Sequence, residues 1–180
     1  MKKVLYILGE LSDDDIDWLI AIGNREEIPA GTILIHEGQP VDALYILLDG
    51  TLAVSAAALG DKEIAKLSSG EVVGEMSFVD ARRPSATVKA LADAVVLAIP
   101  RAQLETKLQQ DVSFASRFYR ALAVFLSNRL RGTVSQMGYG KLTPGEVVES
   151  EAQLDPNVLD NLPMAAARFD WLLKRLKGSC

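Results

Sequence analysis

The spacing of hydrophobic and polar positions changes twice along the chain and separates an N-terminal helix, a run of strands and a helical C-terminal part. Residues 12 to 22 repeat apolar side chains every three or four positions, which is the period of an amphipathic helix. Ser12 is placed to cap this helix, and Asp15 to complete a capping box with it. We expect Trp18 to pack at the edge of the apolar stripe, because a lone aromatic on an amphipathic helix usually packs.

Between Glu26 and Ile99 the pattern becomes that of short strands separated by glycine-containing turns. Asp49-Gly50, between two of the strands, is typical of a β-hairpin. Short strands at regular spacing predict a sandwich or jelly roll, so the predicted fold class is α+β, mainly β. The predicted strands lie at Ile28 and at residues 32–35, 43–48, 51–55, 64–67, 86–90 and 95–99.

Two helices are predicted after the strands, over residues 101 to 131. Pro100 can open the first, and Asp111 is a good N-cap for the second, longer helix, which we expect to end at Gly132. Packing against the chain's own barrel and a parallel two-helix dimer seam both remain open as explanations of the apolar face of this longer helix. The face carries Phe114, Phe118, Ala121 and Phe125.

A tail of residues 133–180 is predicted to follow a domain that spans residues 1–132. In the tail, residues 138–140 and 142–145 are typical of loops, and residues 146–151 form an acidic surface stretch. Asp155-Pro156 can begin a short helix, and residues 163 to 177 form a better one with a basic end. We interpret the basic end as dipole compensation and docking rather than as a DNA recognition helix.

Composition and charge narrow the function classes. The net charge of -5 argues against a nucleic-acid partner, and no stretch is long and apolar enough to span a membrane. His36 and Cys180 are the only histidine and cysteine, so neither a metal site of nitrogen and sulfur ligands nor an intrachain disulfide is expected. The apolar start lacks a small-residue cleavage site, and we expect a cytoplasmic protein.

The segment from Gly70 to Ala90 holds the groups needed to bind a phosphorylated sugar. Gly74 allows a close backbone approach or a positive φ, and the helical turn that follows presents unpaired N–H groups. Glu75 brings an acceptor for ribose hydroxyls, and Arg82 and Arg83 bring positive charge for a phosphate.

This segment resembles the phosphate-binding cassette of cyclic-nucleotide-binding domains, as in the catabolite activator protein and the regulatory subunits of protein kinase A. Residues 74–77, Gly-Glu-Met-Ser, match the first half of the family motif, and residues 85–88, Ser-Ala-Thr-Val, match its end. The resemblance covers residues 12 to about 132. It implies a β jelly-roll barrel with a flanking N-terminal helix and a long C-terminal helix, in which the cassette spans residues 73–88. Because the family uses the long helix both for packing and for a dimer, we expect both uses here.

By resemblance, the ligand-binding residues are those of the cassette and its loop. Gly74 and the amides of Glu75 to Ser77 would face the phosphate, Glu75 the ribose 2′-hydroxyl, and Ser85 with Ala86 the phosphate rim. Glu75 could equally pair with a nearby arginine and hold the cassette together, because a buried carboxylate needs a partner. The complete set implied by the resemblance is Val73, Gly74, Glu75, Met76, Ser77, Arg82, Arg83, Ser85, Ala86 and Thr87.

The chain departs from the family motif at the phosphate-pairing arginine. Pro84 stands at that position, and Arg83 stands where the family has proline. Side chains alternate in direction along an extended segment, so position 84 should face the phosphate and Arg83 should point away. We therefore expect cAMP and cGMP to bind weakly or not at all. The alternative is a functional receptor in which Arg83 or Arg82 has taken over the phosphate.

The sequence leaves three classes of function to consider. We favour a non-catalytic regulatory or sensor module that acts through a homodimer or a protein partner. A transcription regulator of the catabolite activator type is disfavoured, since the tail lacks the pattern of a winged helix-turn-helix and specific DNA binding is not expected. A cupin-type metal enzyme would need several histidine and carboxylate ligands, and Glu75 has no accompanying nucleophile or second titrating group.

Overall fold

A computed structural model describes residues 4–139 and 156–177. Within these ranges two antiparallel sheets of four strands form a jelly roll with helices at its end, which confirms the predicted fold class. The helices are α1 Val4–Glu10, α2 Asp13–Ile22, α3 Glu75–Asp80, α4 Arg101–Gln110, α5 Val112–Tyr139 and α6 Pro156–Lys177, with a 3₁₀ turn at Ala57–Leu59. The strands are β1 Asn24–Ile28, β2 Ile33–Ile35, β3 Ala43–Asp49, β4 Thr51–Ala56, β5 Lys62–Ser68, β6 Val72–Val73, β7 Thr87–Ala90 and β8 Ala94–Pro100.

The strand order is β1-β8-β3-β6 in one sheet and β2-β7-β4-β5 in the other. The two inner faces meet in an apolar layer in which Leu47, Leu52 and Val96 are fully buried. A second apolar cluster joins the outer face of the first sheet to the helices. The barrel therefore has its own core, and the helices add another on one side of it.

The hairpin predicted at Asp49-Gly50 is wrong. The chain does turn there, but β3 pairs with β6 and β8 while β4 pairs with β5 and β7, so the turn carries the chain from one sheet to the other. Gly50 has a φ of 95°, and a Cβ there would lie 2.7 Å from the Ala94 Cα and the Asp93 carbonyl oxygen. Glycine is thus needed for a crossing between sheets, where the backbones approach closely.

The N-terminal capping box is confirmed. The Ser12 amide donates to Asp15 Oδ2 at 2.8 Å, and the Asp15 amide donates to Ser12 Oγ at 3.2 Å. Trp18 packs edge-on against Phe114 with 5.4 Å between ring centroids, as predicted. Helix α1 was not predicted, because seven residues are too few for a helical period to stand out.

The long helix begins as predicted and ends later than predicted. The Phe114 amide donates to Asp111 Oδ1 at 2.9 Å, which confirms the N-cap. Gly132 does not stop the helix, since α5 continues to Tyr139 and a Cβ at Gly132 would meet nothing within 4 Å. A glycine inside a helix costs only about 1 kcal/mol, which the surrounding turns can offset. The domain boundary predicted at residue 132 therefore falls inside a helix.

The tail also differs from its prediction. A single helix, Pro156–Lys177, replaces the two predicted ones and contains Pro163 in its interior. Residues 138 and 139, predicted as loop, belong to α5. The predicted loop at 142–145 and the acidic stretch at 146–151 lie outside the described residues.

The phenylalanine face of α5 is buried inside the chain. Its four predicted dimer residues have side chains that are at most 2% exposed and lie in one cluster with the apolar residues of α1, α2 and α6. Packing therefore occupies this face fully, and it is not available as a dimer seam in the fold described here. The residues concerned are Phe114, Phe118, Ala121 and Phe125.

Candidate ligand site in the cassette

The cassette connects the two sheets by way of a short helix. β6 is followed by Gly74, whose φ of 89° turns the chain into α3, and Ala81, with a φ of 56°, ends that helix. The loop that follows leads into β7 of the second sheet. A positive φ suits glycine, and a Cβ at Gly74 would come within 3.0 Å of the Ala43 carbonyl oxygen. The sequence motif thus fixes the backbone of the site.

A cavity of about 90 Å³ lies beneath the cassette and is lined mainly by apolar side chains. The predicted residues that line it are Val73, Gly74, Glu75, Met76, Ser77, Ser85 and Ala86. Thr87 does not line it, and its hydroxyl instead accepts a hydrogen bond from the Glu37 amide at 3.2 Å. The remaining lining residues are Ile35, Val54, Leu67, Pro84, Val88 and Arg129.

Glu75 is held by an arginine of the long helix. Its side chain is 3% exposed, and Arg129 Nη1 donates to Glu75 Oε1. Arg129 Nη2 also donates to the Val72 carbonyl at 3.1 Å, and its guanidinium lies 4.5 Å from the centre of the Phe125 ring. The pairing of Glu75 with an arginine, one of the two roles considered for it, is therefore the state of this structure.

Burial dominates the ionisation of Glu75. It raises the pKa of the carboxyl above its ordinary value, although the Arg129 charge and hydrogen bond act in the opposite direction. The neighbouring carboxylate of Glu71 adds to the rise. The charged form of the Glu75 carboxyl is therefore disfavoured by burial, and its stabilisation depends on the Arg129 guanidinium.

Pro84, and neither neighbouring arginine, faces the cavity. Pro84 is one of the lining residues, and its carbonyl accepts from the Gly38 amide at 2.9 Å. Arg83 is exposed and donates to the Gly38 carbonyl at 3.2 Å, on the outer side of the loop. Arg82 is exposed too, with Nε 3.7 Å from Asp80 Oδ2. Pro84 therefore faces inward and Arg83 outward, as expected, but β7 begins only at Thr87, so both residues lie in the loop before the strand.

Arg129 is the residue of the candidate site that sequence reasoning did not name. It lies 54 positions after Glu75 on a helix with several arginines, so no local pattern marks it. The only sequence signal is the need of a buried carboxylate for a cationic partner, and that signal gives no position. Among the described residues, no group of three or more histidine, cysteine or acidic side chains is placed to hold a metal ion.

The described fold and its site define a class. It is a β-roll: an antiparallel jelly roll whose glycine-initiated cassette covers a cavity that Arg129 of the long helix α5 helps to line. Residues 25–111 match the model of the cyclic nucleotide-binding domain family, so this part of the chain belongs to that family. The described helices include none long and apolar enough to cross a bilayer.

Two similar proteins of known sequence illustrate the range of contexts. An uncharacterized NTE family protein of Mycobacterium tuberculosis strain H37Rv is 30% identical over 120 residues, which are 67% of this chain and 20% of that protein. The cyclic AMP receptor protein of Thermus thermophilus is 29% identical over 123 residues, 67% of this chain and 55% of that protein. The chain thus spans a fifth of the first relative and about half of the second.

Solved structures agree on the fold. The catabolite activator protein of Thermus thermophilus superposes with a TM-score of 0.61 at 26% identity, covering 74% of this chain and 62% of that one. A cyclic nucleotide-binding domain of Methylobacillus flagellatus superposes with a TM-score of 0.69 at 23% identity, covering 81% and 85%. The latter protein is similar in fold and in length.

Proposed function

We propose that the chain is a non-catalytic regulatory module of the cyclic nucleotide-binding family that acts through protein contacts and binds cAMP and cGMP weakly or not at all. The observation that carries the proposal is Pro84 on the cavity wall at the position where the family has its phosphate-pairing arginine. Proline offers neither a positive charge nor an N–H. Among the described residues that line the cavity, the one guanidinium, Arg129, is already bonded to Glu75.

The size of the cavity supports the same proposal. Pockets for drug-sized ligands usually measure about 300–1,000 Å³, whereas this cavity measures about 90 Å³. A nucleotide would therefore need the cassette or α5 to move before it could enter. Its binding would have to supply the free energy of that movement as well as the cost of separating Arg129 from Glu75.

Calorimetric titration with cAMP and cGMP tests the proposal on three proteins: the wild type, Pro84→Arg and Arg83→Ala. We expect no binding by the wild type below about 100 µM and a gain for Pro84→Arg. A charge-assisted contact is worth about 1.5–3 kcal/mol, so the gain should be about tenfold to a hundredfold. If Pro84→Arg binds no better than the wild type, the missing arginine is not the reason for weak binding.

The second candidate is a working cAMP or cGMP receptor that uses Arg83 or Arg82. The observation that favours it is the position of Arg83, next to the lining residue Pro84 and tied to the loop by one hydrogen bond to the Gly38 carbonyl. A change in the loop by one residue would bring its guanidinium to the cavity. Micromolar binding by the wild type that Arg83→Ala or Arg82→Ala abolishes would establish this candidate and refute the first.

If the chain forms a dimer, we propose that it uses the exposed stripe of α5 instead of the phenylalanine face. Tyr119 is 46% exposed and Leu130 64%, with Leu126 half-buried between them. With Ala123 these residues are spaced by four, three and four, which is the spacing of a coiled-coil seam. A second copy would bury side chains that the isolated chain leaves in water.

Light scattering at tens of micromolar tests this dimer. Leu130→Asp should shift the protein to monomer, while Ser113→Asp, an exposed position of α5 outside the stripe, should not. Phe118→Asp is unsuitable, because Phe118 is 1% exposed and a buried charge there would unfold the chain. A wild type that is already monomeric, or a Leu130→Asp variant that stays dimeric, would rule the seam out.

A further inference from the structure

The surface formed by α1 and α2 is covered by a helix from the far end of the chain. α6 places Ala165 and Leu172, both at most 1% exposed, in one cluster with Leu8, Ile16 and Leu19. Phe169 and Leu176 pack against the same cluster, so the contacting positions of α6 are spaced by four, three and four. This is the seam of one amphipathic helix laid against a helix pair.

Arg168 is the polar anchor of the contact. Its Nε donates to Asp13 Oδ1 at 2.7 Å, and its Nη1 donates to the Leu8 and Leu11 carbonyls at 2.9 and 2.6 Å. Leu8 lies in the last turn of α1, where helical carbonyls lack partners within the helix, and Leu11 directly follows that helix. The Arg168 side chain is 14% exposed, whereas that of Asp13 is 78% exposed, so the bonds to the two carbonyls are the desolvated part of the contact.

A second arginine one heptad later sets the register. Arg175 Nη1 lies 2.6 Å from Asp17 Oδ1, and its guanidinium stacks 5.1 Å from the Trp171 ring. Both members of this pair are about half exposed, so the pair adds little binding energy. Its main effect is to fix the position of α6 along α2. Two arginines seven residues apart thus match two aspartates, Asp13 and Asp17, four residues apart.

Helix α6 is attached to one surface of the fold, and sixteen residues of sequence connect it to α5. The extensive contacts that α6 makes within the described residues are with α1 and α2. Residues 140–155 separate α5 from α6, and sixteen residues can span at most about 55 Å. Because α6 is held mainly by one surface, and a second copy presents the same surface, the two copies offer α6 equivalent places to bind.

We propose that the α1–α2 face is a reversible helix-docking surface, occupied here by α6 of the same chain and able to accept α6 of a second copy in exchange. Recognition requires the apolar spacing of residues 165 to 176 and the fork of Arg168 on Asp13 and the α1 carbonyls. The proposal is independent of any ligand in the cassette, because none of these residues lines the cavity.

The exchange is tested on the full chain with a fluorescent peptide of residues 156–177. In the wild type the tethered α6 competes at a high effective concentration, so we expect the peptide to bind weakly. In the Arg168→Ala chain the tethered helix loses its charged hydrogen bonds, and the peptide should bind about tenfold to a hundredfold more tightly. A peptide with the same Arg168→Ala change should lose that advantage. Lys174→Ala, at an exposed position of α6, is the matched control and should behave as the wild type.

Hydrogen exchange on the same full chains locates the effect. In Arg168→Ala the amides of α6 and α1 should exchange about tenfold faster, while those of β3 and β8 keep their protection. Peptide that binds the wild type and Arg168→Ala equally, or α6 exchange that does not change, would overturn the proposal. If Arg168→Ala unfolds the barrel, the charge exchange Asp17→Arg with Arg175→Asp decides. Each single change should speed α6 exchange severalfold, and the double change should restore it; failure to restore it would also overturn the proposal.

Discussion

Removal of Arg129 should reveal how strongly the cassette depends on the long helix. In Arg129→Ala the buried Glu75 carboxylate loses its guanidinium, the Val72 carbonyl loses a donor, and the Phe125 ring loses its stacked cation. Breaking a buried ion pair by deleting one partner typically costs about 3–5 kcal/mol. The Arg129 side chain is 29% exposed, so water can partly replace it, and we expect a loss of about 2–3 kcal/mol at pH 7.

The loss should depend on pH in a definite direction. Burial raises the pKa of Glu75 in the folded state, so folding favours the protonated carboxyl and its stabilising contribution is lost as the pH rises through that raised pKa. In Arg129→Ala the effect of burial is opposed less strongly, so the pKa of Glu75 in the folded state rises further. Below the ordinary glutamate pKa, about 4.3, the carboxyl is neutral in both states. The deficit of Arg129→Ala relative to the wild type should therefore shrink as the pH is lowered.

Urea unfolding at pH 7 and near pH 4.5, followed by tryptophan fluorescence, measures both effects. Glu75→Gln and the double variant Glu75→Gln with Arg129→Ala complete a cycle. Because the double variant contains no buried charge at this position, it should be more stable than Arg129→Ala alone. Equal deficits at the two pH values, together with a double variant no more stable than the single one, would refute the role assigned to the buried pair.

Three further outcomes are expected. Gly50→Ala should cost about 1–3 kcal/mol in thermal or chemical unfolding, since the position needs a positive φ and its Cβ would meet backbone at 2.7 Å; a neutral result would contradict the close crossing. Burial opposes ionisation of Asp15, but hydrogen bonds from Arg117 and Ser12 outweigh that effect and lower the pKa of its carboxyl. Asp15 therefore stabilises the fold above the ordinary aspartate pKa, and this contribution is lost as the pH falls. In Asp15→Asn the stability should depend less on pH in the acid range, and an unchanged dependence would exclude this role. Gel shifts on duplex DNA should show at most weak binding that disappears with added salt, because the chain has a net charge of -5. Nanomolar, salt-resistant binding to one sequence would contradict this expectation.

Local signals in the sequence were enough for most of the fold. The capping box at Ser12, the N-cap at Asp111 and the glycine before α3 each specify a backbone conformation through chemistry within a few residues, and each lies where the sequence placed it. Pro84 also lies on the cavity wall with Arg83 outward, as expected from the sequence, although both residues are in the loop before β7 and not in a strand.

The sequence predicted less where a structure depends on distant partners. The turn at Gly50 has a hairpin sequence, but which strand pairs with which is decided by β6, β7 and β8, far along the chain. The amphipathic face of α5 has the same pattern whether it meets a second copy or α1, so periodicity could not distinguish a seam from a core. Arg129 was missed for the same reason, since its partner is fixed only when α5 packs beneath the cassette.

The pair of Glu75 and Arg129 also links the cassette to the helix that would carry any response. A ligand that took the Glu75 carboxylate would have to release Arg129, and its affinity would be lowered by the free energy of that pair. Conversely, a partner that drew α5 away from the cassette would free Glu75 and make the cavity more receptive by the same factor, because coupling between two binding events is reciprocal. If Pro84 weakens phosphate binding as we propose, the ligand side of this linkage is weakened, while the pair of Glu75 and Arg129 remains in place. The physical balance therefore favours regulation of this module through the contacts of α5.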